Sequence, residues 1–398
     1  MVQRVQTWKN ANKLTILSLL LILILLTMCS YLSFRYPILK MSAAQNGIIL
    51  LAAIAFNSII NRDHLLRPYF LYVDGITILL LFRVGYYMFL TLSIGIYEHM
   101  SNLLAVFLSF FVYVWVTNKE IPTKLLVRWS ETLVVVIGIQ TIIAVFDGLQ
   151  RGLPLHMLKS HIVTPIGASN TIATFLALLM PFIYKLEDST FLKNISTFFI
   201  IALIILTRSN SGIITVFFLI SILLLLEKKY RIFKALLFIA ACFVIIYFIS
   251  KYSEEYLLRM VNTFQMLFSK EQQNYNVALN GRVQIFSKVL WLFLENPWFG
   301  YGFSYRQYTN DLMSHNWILE SLVTGGIISL LTQTAIYIIV FYKIFSNKLL
   351  DKACKEAIIL SVIVALFQGM MEPSIGTINF DIIFWLLIGH GIYTCKHC

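Results

Sequence analysis

The sequence predicts an all-α, polytopic integral membrane protein with about twelve transmembrane helices and one long extracytoplasmic loop carrying short helices. Three observations predict it. Of 398 residues, 59% are hydrophobic and only 13% charged, whereas globular domains carry about a quarter charged residues; so few charges cannot cover a water-facing surface. Apolar runs close to the roughly 20 residues that cross a bilayer recur from end to end. Lys and Arg are also distributed unevenly between alternate connections, as the positive-inside bias requires.

The first run, 14–33, follows the basic segment MVQRVQTWKNANK. It ends in no small-residue cleavage pattern, and Met28 stands where the lipobox-like LTMC needs a small residue, so it reads as a retained helix. Further spans are expected at 43–60, 69–90, 102–117, 131–148, 166–184, 195–207, 212–226, 235–250, 322–342, 357–372 and 378–394. With the N-terminus inside, the inner segments hold 19 Lys and Arg and the short outer loops 5, which places both termini in the cytoplasm. The net charge of +12 therefore reads as topology and contact with anionic membrane lipids, and gives no reason to invoke nucleic acid. No internal repeat is visible, and 1–398 reads as a single transmembrane domain.

The one long connection, 251–314, falls outside. It carries 14 aromatics in 64 residues, a content opposed to disorder, and loops of that length are commonly functional. Within it, RVQIFSKVLWLFLENP (282–297) reads as an interfacial helix bearing Arg282 and Lys288 and stopped by Asn296-Pro297. Gly300 and Gly302 then allow tight turns. A second polar outer stretch, QRGLPLHMLKSHIVTPIGASN (150–170), is expected to pack against this loop.

His315 leads the candidates for chemistry. It opens the tenth helix in SHNWILESLVTGGI, with Ser314 as the expected N-cap. The helix dipole there favours a neutral imidazole, which can take a proton from a hydroxyl; an interfacial His that only hydrogen-bonds is the commoner use of such a residue. Arg282 either snorkels to headgroups or holds an anion bidentately. Arg208, in LTRSNSG, ends an apolar run, where an ionisable group is a functional candidate although a plain helix-end Arg is common. Asp74 and Arg83, nine residues apart in the third span, face different sides and read as partners for other helices. Asn170, Glu320 and Glu372 lie near outer helix ends, where packing or hydration is the ordinary role of each taken singly.

Several arrangements are missing from the sequence. No Asp-x-Asp or Glu-rich cluster stands in the outer loops to cradle a diphosphate through a divalent metal, so neither metal nor cofactor is expected. No P-loop lysine motif occurs, and GYGFSY follows no strand. No Ser or Cys nucleophile motif stands out. The five cysteines form no disulfide framework, and CKHC at 395–398 is a lone terminal cluster.

An Arg opening a helix, then ENPWFGYGFS, SHNWILE and Gly325-Gly326, resembles the O-antigen ligase/polymerase (Wzy-like) superfamily. Looser echoes are GASNTIATFLALLMP (167–181), LTRSNSG (206–212) and EPSIGTINFDIIFWLLIG (372–389). Together they span 166–394; the first 165 residues match only in being hydrophobic. The resemblance implies a membrane-embedded, metal-independent glycosyltransferase that inverts the anomeric centre. It would act on undecaprenyl-diphosphate-linked oligosaccharides at the outer face of a bacterial cytoplasmic membrane, without a nucleotide sugar. The family's histidine maps to His315 and its loop arginine to Arg282. Its helix-end arginine normally sits in a Ser-Arg-small pattern; here Ser209-Asn210-Ser211 occupies that place and Arg208 is displaced by two. Asn316, Glu320, Tyr301 and Asn170 are the expected substrate-binding residues. A polymerase of capsular, exopolysaccharide or O-antigen repeat units is the favoured reading, with a flippase and a chain-length regulator as expected partners. A ligase moving finished glycan to another acceptor is the alternative within the family. A lipid-linked sugar transporter is the alternative outside it, although a carrier built of two similar six-span halves is not evident.

Overall fold

The computed structural model describes residues 13–30, 39–40, 45, 48–54, 74–94, 100–117, 121–154, 157–226, 282–310, 313–347, 350–372 and 377–397. The ninth expected span (235–250), Cys242, Cys398 and loop residues 251–281 lie outside them. The described chain is helical almost throughout. Its helices are α1 (Lys13–Met28), α2 (Gly75–Ile94), α3 (Met100–Val116), α4 (Thr123–Gln150), the single turn α5 (Leu158–His161), α6 (Ser169–Leu186), α7 (Thr190–Leu206), α8 (Asn210–Leu226), α9 (Arg282–Glu295), α10 (Trp317–Ser346), α11 (Lys352–Gly369) and α12 (Ile378–His397). Residues 48–54 are helical too. Two-residue strand pairs join Cys29–Ser30 to Leu39–Lys40 and Val163–Thr164 to Gly167–Ala168. By length and composition α2, α4, α6 and α10 can each cross a membrane, and α1, α3, α7, α8 and α12 contain shorter apolar helical runs.

Helix α6 is the hub, buried on every side over most of its length and packed against α4, α7, α8 and α11. Pro181 interrupts its hydrogen-bond ladder; Ser361 of α11 donates to the Leu178 carbonyl at 3.1 Å beside the interruption, the kind of help a buried broken helix requires. Around the hub, α12 packs on α3, α2 on α3 and α10, and α9 on α10. Large apolar side chains such as Leu81, Phe89, Ile139, Phe146 and Phe198 point outward. Apolar exposure on that scale is stable only against lipid.

Charged pairs gather at the two ends of the bundle. One end holds Asp74, which accepts from Lys343 at 2.8 Å and Tyr113 at 2.7 Å, together with Lys124–Asp188 and Lys185–Glu356. Asp74 thus pairs with another helix as expected, although it starts α2 instead of lying inside it. The opposite end holds Asp147, bonded by Arg151 and His161, and the groups around Glu372 and Glu320.

Most helices differ from the expected spans by several residues, and two of the differences are informative. Helix α4 starts at Thr123, eight residues before the expected 131, because Arg128 reaches Glu131 and Glu187 and so extends a helix whose first turns are too polar for a hydropathy reading. Helix α10 runs over Trp317–Ser346 and is broken at Gly325 and Gly326, whose backbone angles are non-helical.

Candidate functional site

The site is assembled where α6, α9, the turn before α10 and the chain after α11 meet. Its centre is the Glu372 carboxylate. Asn170, in the first turn of the hub helix α6, donates from Nδ2 to Glu372 Oε2 at 3.1 Å. His315 Nδ1 lies 3.5 Å and Arg282 Nη2 3.7 Å from the same oxygen. His315 Nδ1 is buried and makes no hydrogen bond among the described residues; Glu372 therefore stands within ion-pair reach and outside hydrogen-bond geometry. Lys159 of α5 feels the same groups. Burial pushes its ammonium below the ordinary value, Glu372 holds it partly up and Arg282 pushes it further down. Lys159, in the stretch 150–170, thus lies within electrostatic range of Arg282 at the loop's helix.

His315 is aimed by its neighbours. It adopts φ +53, a left-handed conformation uncommon for a non-glycine residue. The N-cap of α10 is Asn316, not the expected Ser314: Asn316 Oδ1 accepts from the Ile318 and Leu319 amides at 2.9 and 3.2 Å. Ser314 instead donates to Glu320 Oε2 at 2.7 Å and to the Asn316 carbonyl, so the cap is two residues later and His315 sits just outside the helix. Asn316 Nδ2 also donates to the Met370 carbonyl at 3.3 Å, which ties the start of α10 to the chain leading into Glu372.

Arg208 is the left-handed residue, φ +56, between α7 and α8. Thr207 closes α7, and Ser209 Oγ accepts from the Gly212 amide at 3.2 Å to open α8. Ser209 also donates to Asn170 Oδ1 at 2.9 Å. The LTRSNSG turn is thereby joined through Asn170 to Glu372.

The remaining expected residues frame this group. Glu320 Oε2 accepts from the Tyr305 hydroxyl at 2.5 Å and from the Ser314 amide and hydroxyl, while Oε1 lies 3.6 Å from Arg306. Glu320 thus braces the His315 turn. Tyr301 stands on the rim, donating to Glu295 at 2.6 Å; that bond, with a little burial, pushes its phenol up to about 12.

The glycine motifs meet backbone to backbone. Tyr301 N donates to the Val323 carbonyl at 2.7 Å and Ile327 N to the Pro297 carbonyl at 2.8 Å, so NPWFGYG is seated in the break of α10. A Cβ on Gly326 would fall 2.1 Å from the Trp298 carbonyl oxygen, and one on Gly300 2.6 Å from that of Val323. Both have positive φ.

Sequence reasoning did not single out Lys159 or Arg306, and weighed Glu372 as packing. The available signal for Glu372 was a carboxylate before proline at the end of an apolar helix. Four segments far apart in the chain had to be brought together to give it meaning.

A family model described as O-antigen ligase matches residues 195–334. No curated protein matches the chain. The matched stretch holds Arg208, Arg282, the NPWFGYG loop, His315, Glu320 and the glycine pair, and leaves Lys159, Asn170 and Glu372 outside it. Its apolar helices and this match mark a multi-pass membrane protein. Over residues 195–334 the chain is therefore similar to the O-antigen ligase family, whose members are glycosyltransferase-like membrane enzymes.

Proposed function

We propose that the protein polymerises undecaprenyl-diphosphate-linked oligosaccharide repeat units at the outer face of the bacterial cytoplasmic membrane. The observation that carries this reading is the convergence on one carboxylate oxygen of Glu372 of Asn170, His315 and Arg282, with Lys159 close enough to feel both charges. A base and cations stand together there, as displacement of a diphosphate by a hydroxyl requires.

In the proposed step His315 Nε2 takes the proton of the acceptor hydroxyl as its oxygen attacks the donor's anomeric carbon. The bond from that carbon to the diphosphate breaks, the configuration inverts, and the electron pair leaves with undecaprenyl diphosphate. Glu372, facing Nδ1, orients the ring and steadies the imidazolium. Arg282 and Lys159, with Arg208 nearby in sequence to the Ser209–Asn170 link, supply the positive charge that a metal would otherwise bring to the leaving diphosphate.

Purified full-length protein given a single lipid-linked repeat unit, in EDTA and with no other acceptor, should build a ladder of longer chains. A single transfer seen only when a different acceptor is added would replace the polymerase with the ligase reading. Movement of the lipid-linked unit with no new glycosidic bond would replace both with transport. Loss of the ladder in EDTA, restored by Mg²⁺ or Mn²⁺, would overturn metal independence.

A further inference from the structure

A second polar pocket, of about 40 Å³ and so large enough for a carboxylate but not for a whole sugar ring, lies on the α2 side of α10, apart from the groups around Glu372. Arg83 of α2, Phe303 and Arg306 of the 3₁₀ segment Gly302–Thr309, and Trp317 and Gln333 of α10 line it. Arg83 is 8% exposed and Gln333 3%. Four buried atoms of these residues have no hydrogen-bond partner among the described residues: Arg83 Nε, Arg306 Nε, Trp317 Nε1 and Gln333 Oε1. Stranding one buried polar atom is costly; four around one cavity point to a ligand that engages them.

The charges say what kind. Two guanidiniums face the pocket with one carboxylate, Glu320, whose Oε2 is already engaged by Tyr305 and Ser314. Among the lining residues one positive charge is left over, and the Tyr87 ring lies 5.8 Å from Arg83 Cζ. A buried cation at such depth calls for an anion. The three donors match acidic oxygens, and the acceptor, Gln333 Oε1, matches a hydroxyl, so a hydroxylated acid satisfies more of the wall than a halide does. Tyr87 and Phe303 stack on each other at 5.0 Å, which leaves Trp317 as the lining ring available to the C–H face of a sugar. Through Glu320 the pocket adjoins the Ser314–His315 turn.

We propose that this pocket takes the carboxylate of a uronic-acid residue in the glycan, the sugar ring remaining at its mouth. The proposal rests on the glycan-transfer reading for its ligand class, but its test needs no turnover.

Saturation-transfer NMR on the full-length protein in detergent would compare methyl glucuronoside, methyl glucoside and glycerol 3-phosphate. The glucuronoside should bind at least about tenfold more tightly than the glucoside. Arg306→Gln and Gln333→Leu, which avoid the risk that Arg83→Gln fails to insert, should each weaken it, and Lys288→Gln on the exposed face of α9 should not. A His315→Asn chain should keep full glucuronoside binding even where it makes no polymer. Equal binding of acid and neutral sugar, or no binding of either, would overturn the proposal. Binding of glycerol 3-phosphate without the glucuronoside would overturn it in favour of a lipid headgroup.

Discussion

Arg208, Asn310 and His315 are the non-glycine residues with positive φ among those described, at 56°, 54° and 53°. Asparagine tolerates that region; arginine and histidine are held there at a cost of roughly 1–2 kcal/mol each, and such strain persists where surrounding structure imposes it, typically at functional sites. The conformation of His315 suggests a cleaner test than alanine. His315→Asn accepts the same backbone angles, so thermal stability should be unchanged while polymer formation falls by roughly 10²- to 10⁴-fold, the usual contribution of a general base. Retained binding of a fluorescent lipid-linked donor would complete the signature; wild-type polymer yield would return the histidine to a simple hydrogen-bonding role. Arg282→Lys keeps the charge and loses the planar fork. It should weaken donor binding measurably without altering expression, and donor affinity equal to wild type would remove Arg282 from the diphosphate site.

Helix α10 is interrupted where the NPWFGYG loop enters it, and the interruption is sterically specified. Gly326→Ala would press a methyl group onto the Trp298 carbonyl, an overpacking expected to cost about 1–3 kcal/mol or more and to displace the rim that orders the His315 turn. Lower thermal stability and loss of polymer are expected together. Gly85→Ala, in α2 with nothing within 4 Å of the added carbon, should change neither. If both alanine variants behaved like wild type, the seating of the loop in α10 would not govern the site. The outer face of α9 supports the interfacial reading of that helix: Ile285, Val289 and Leu292 are buried against Tyr305 and Val323, whereas Leu290, Trp291 and Leu294 are exposed, an arrangement that suits burial in a membrane interface.

Across the molecule, the ion pairs among the described residues gather at two ends, with Arg83 buried inside α2, and the proposed chemistry gathers at one of those ends. The orientation expected from the positive-inside bias would put that end, and the loop bearing Asn274, outside. Asn274→Cys should therefore react with an impermeant thiol reagent in intact cells, whereas Lys352→Cys, on the exposed first turn of α11 at the opposite end, should react only after lysis. The reverse pattern would invert the orientation and with it the source of the substrate.

What the sequence determined by itself was the membrane class, the helical character of the described apolar runs, and NPWFGYG and the later glycine pair as separate motifs; that the two meet was decided by the fold. Those properties are local: hydropathy accumulates residue by residue, and a glycine demanded by close backbone approach marks its own position. His315 and Arg282 were legible for the same reason, as polar residues at the ends of apolar runs. Helix limits at Thr123 and at the Asn316 cap were not, because one depends on where Arg128 finds carboxylates and the other on whether Ser314 or Asn316 turns its side chain back to the helix. Glu372 and Lys159 look ordinary in the chain. Only the packing of α6 against α11 and the tie from Asn316 to Met370 bring a carboxylate, an imidazole and two cations to one place, since interactions among charges depend on separation in space and not on separation in sequence.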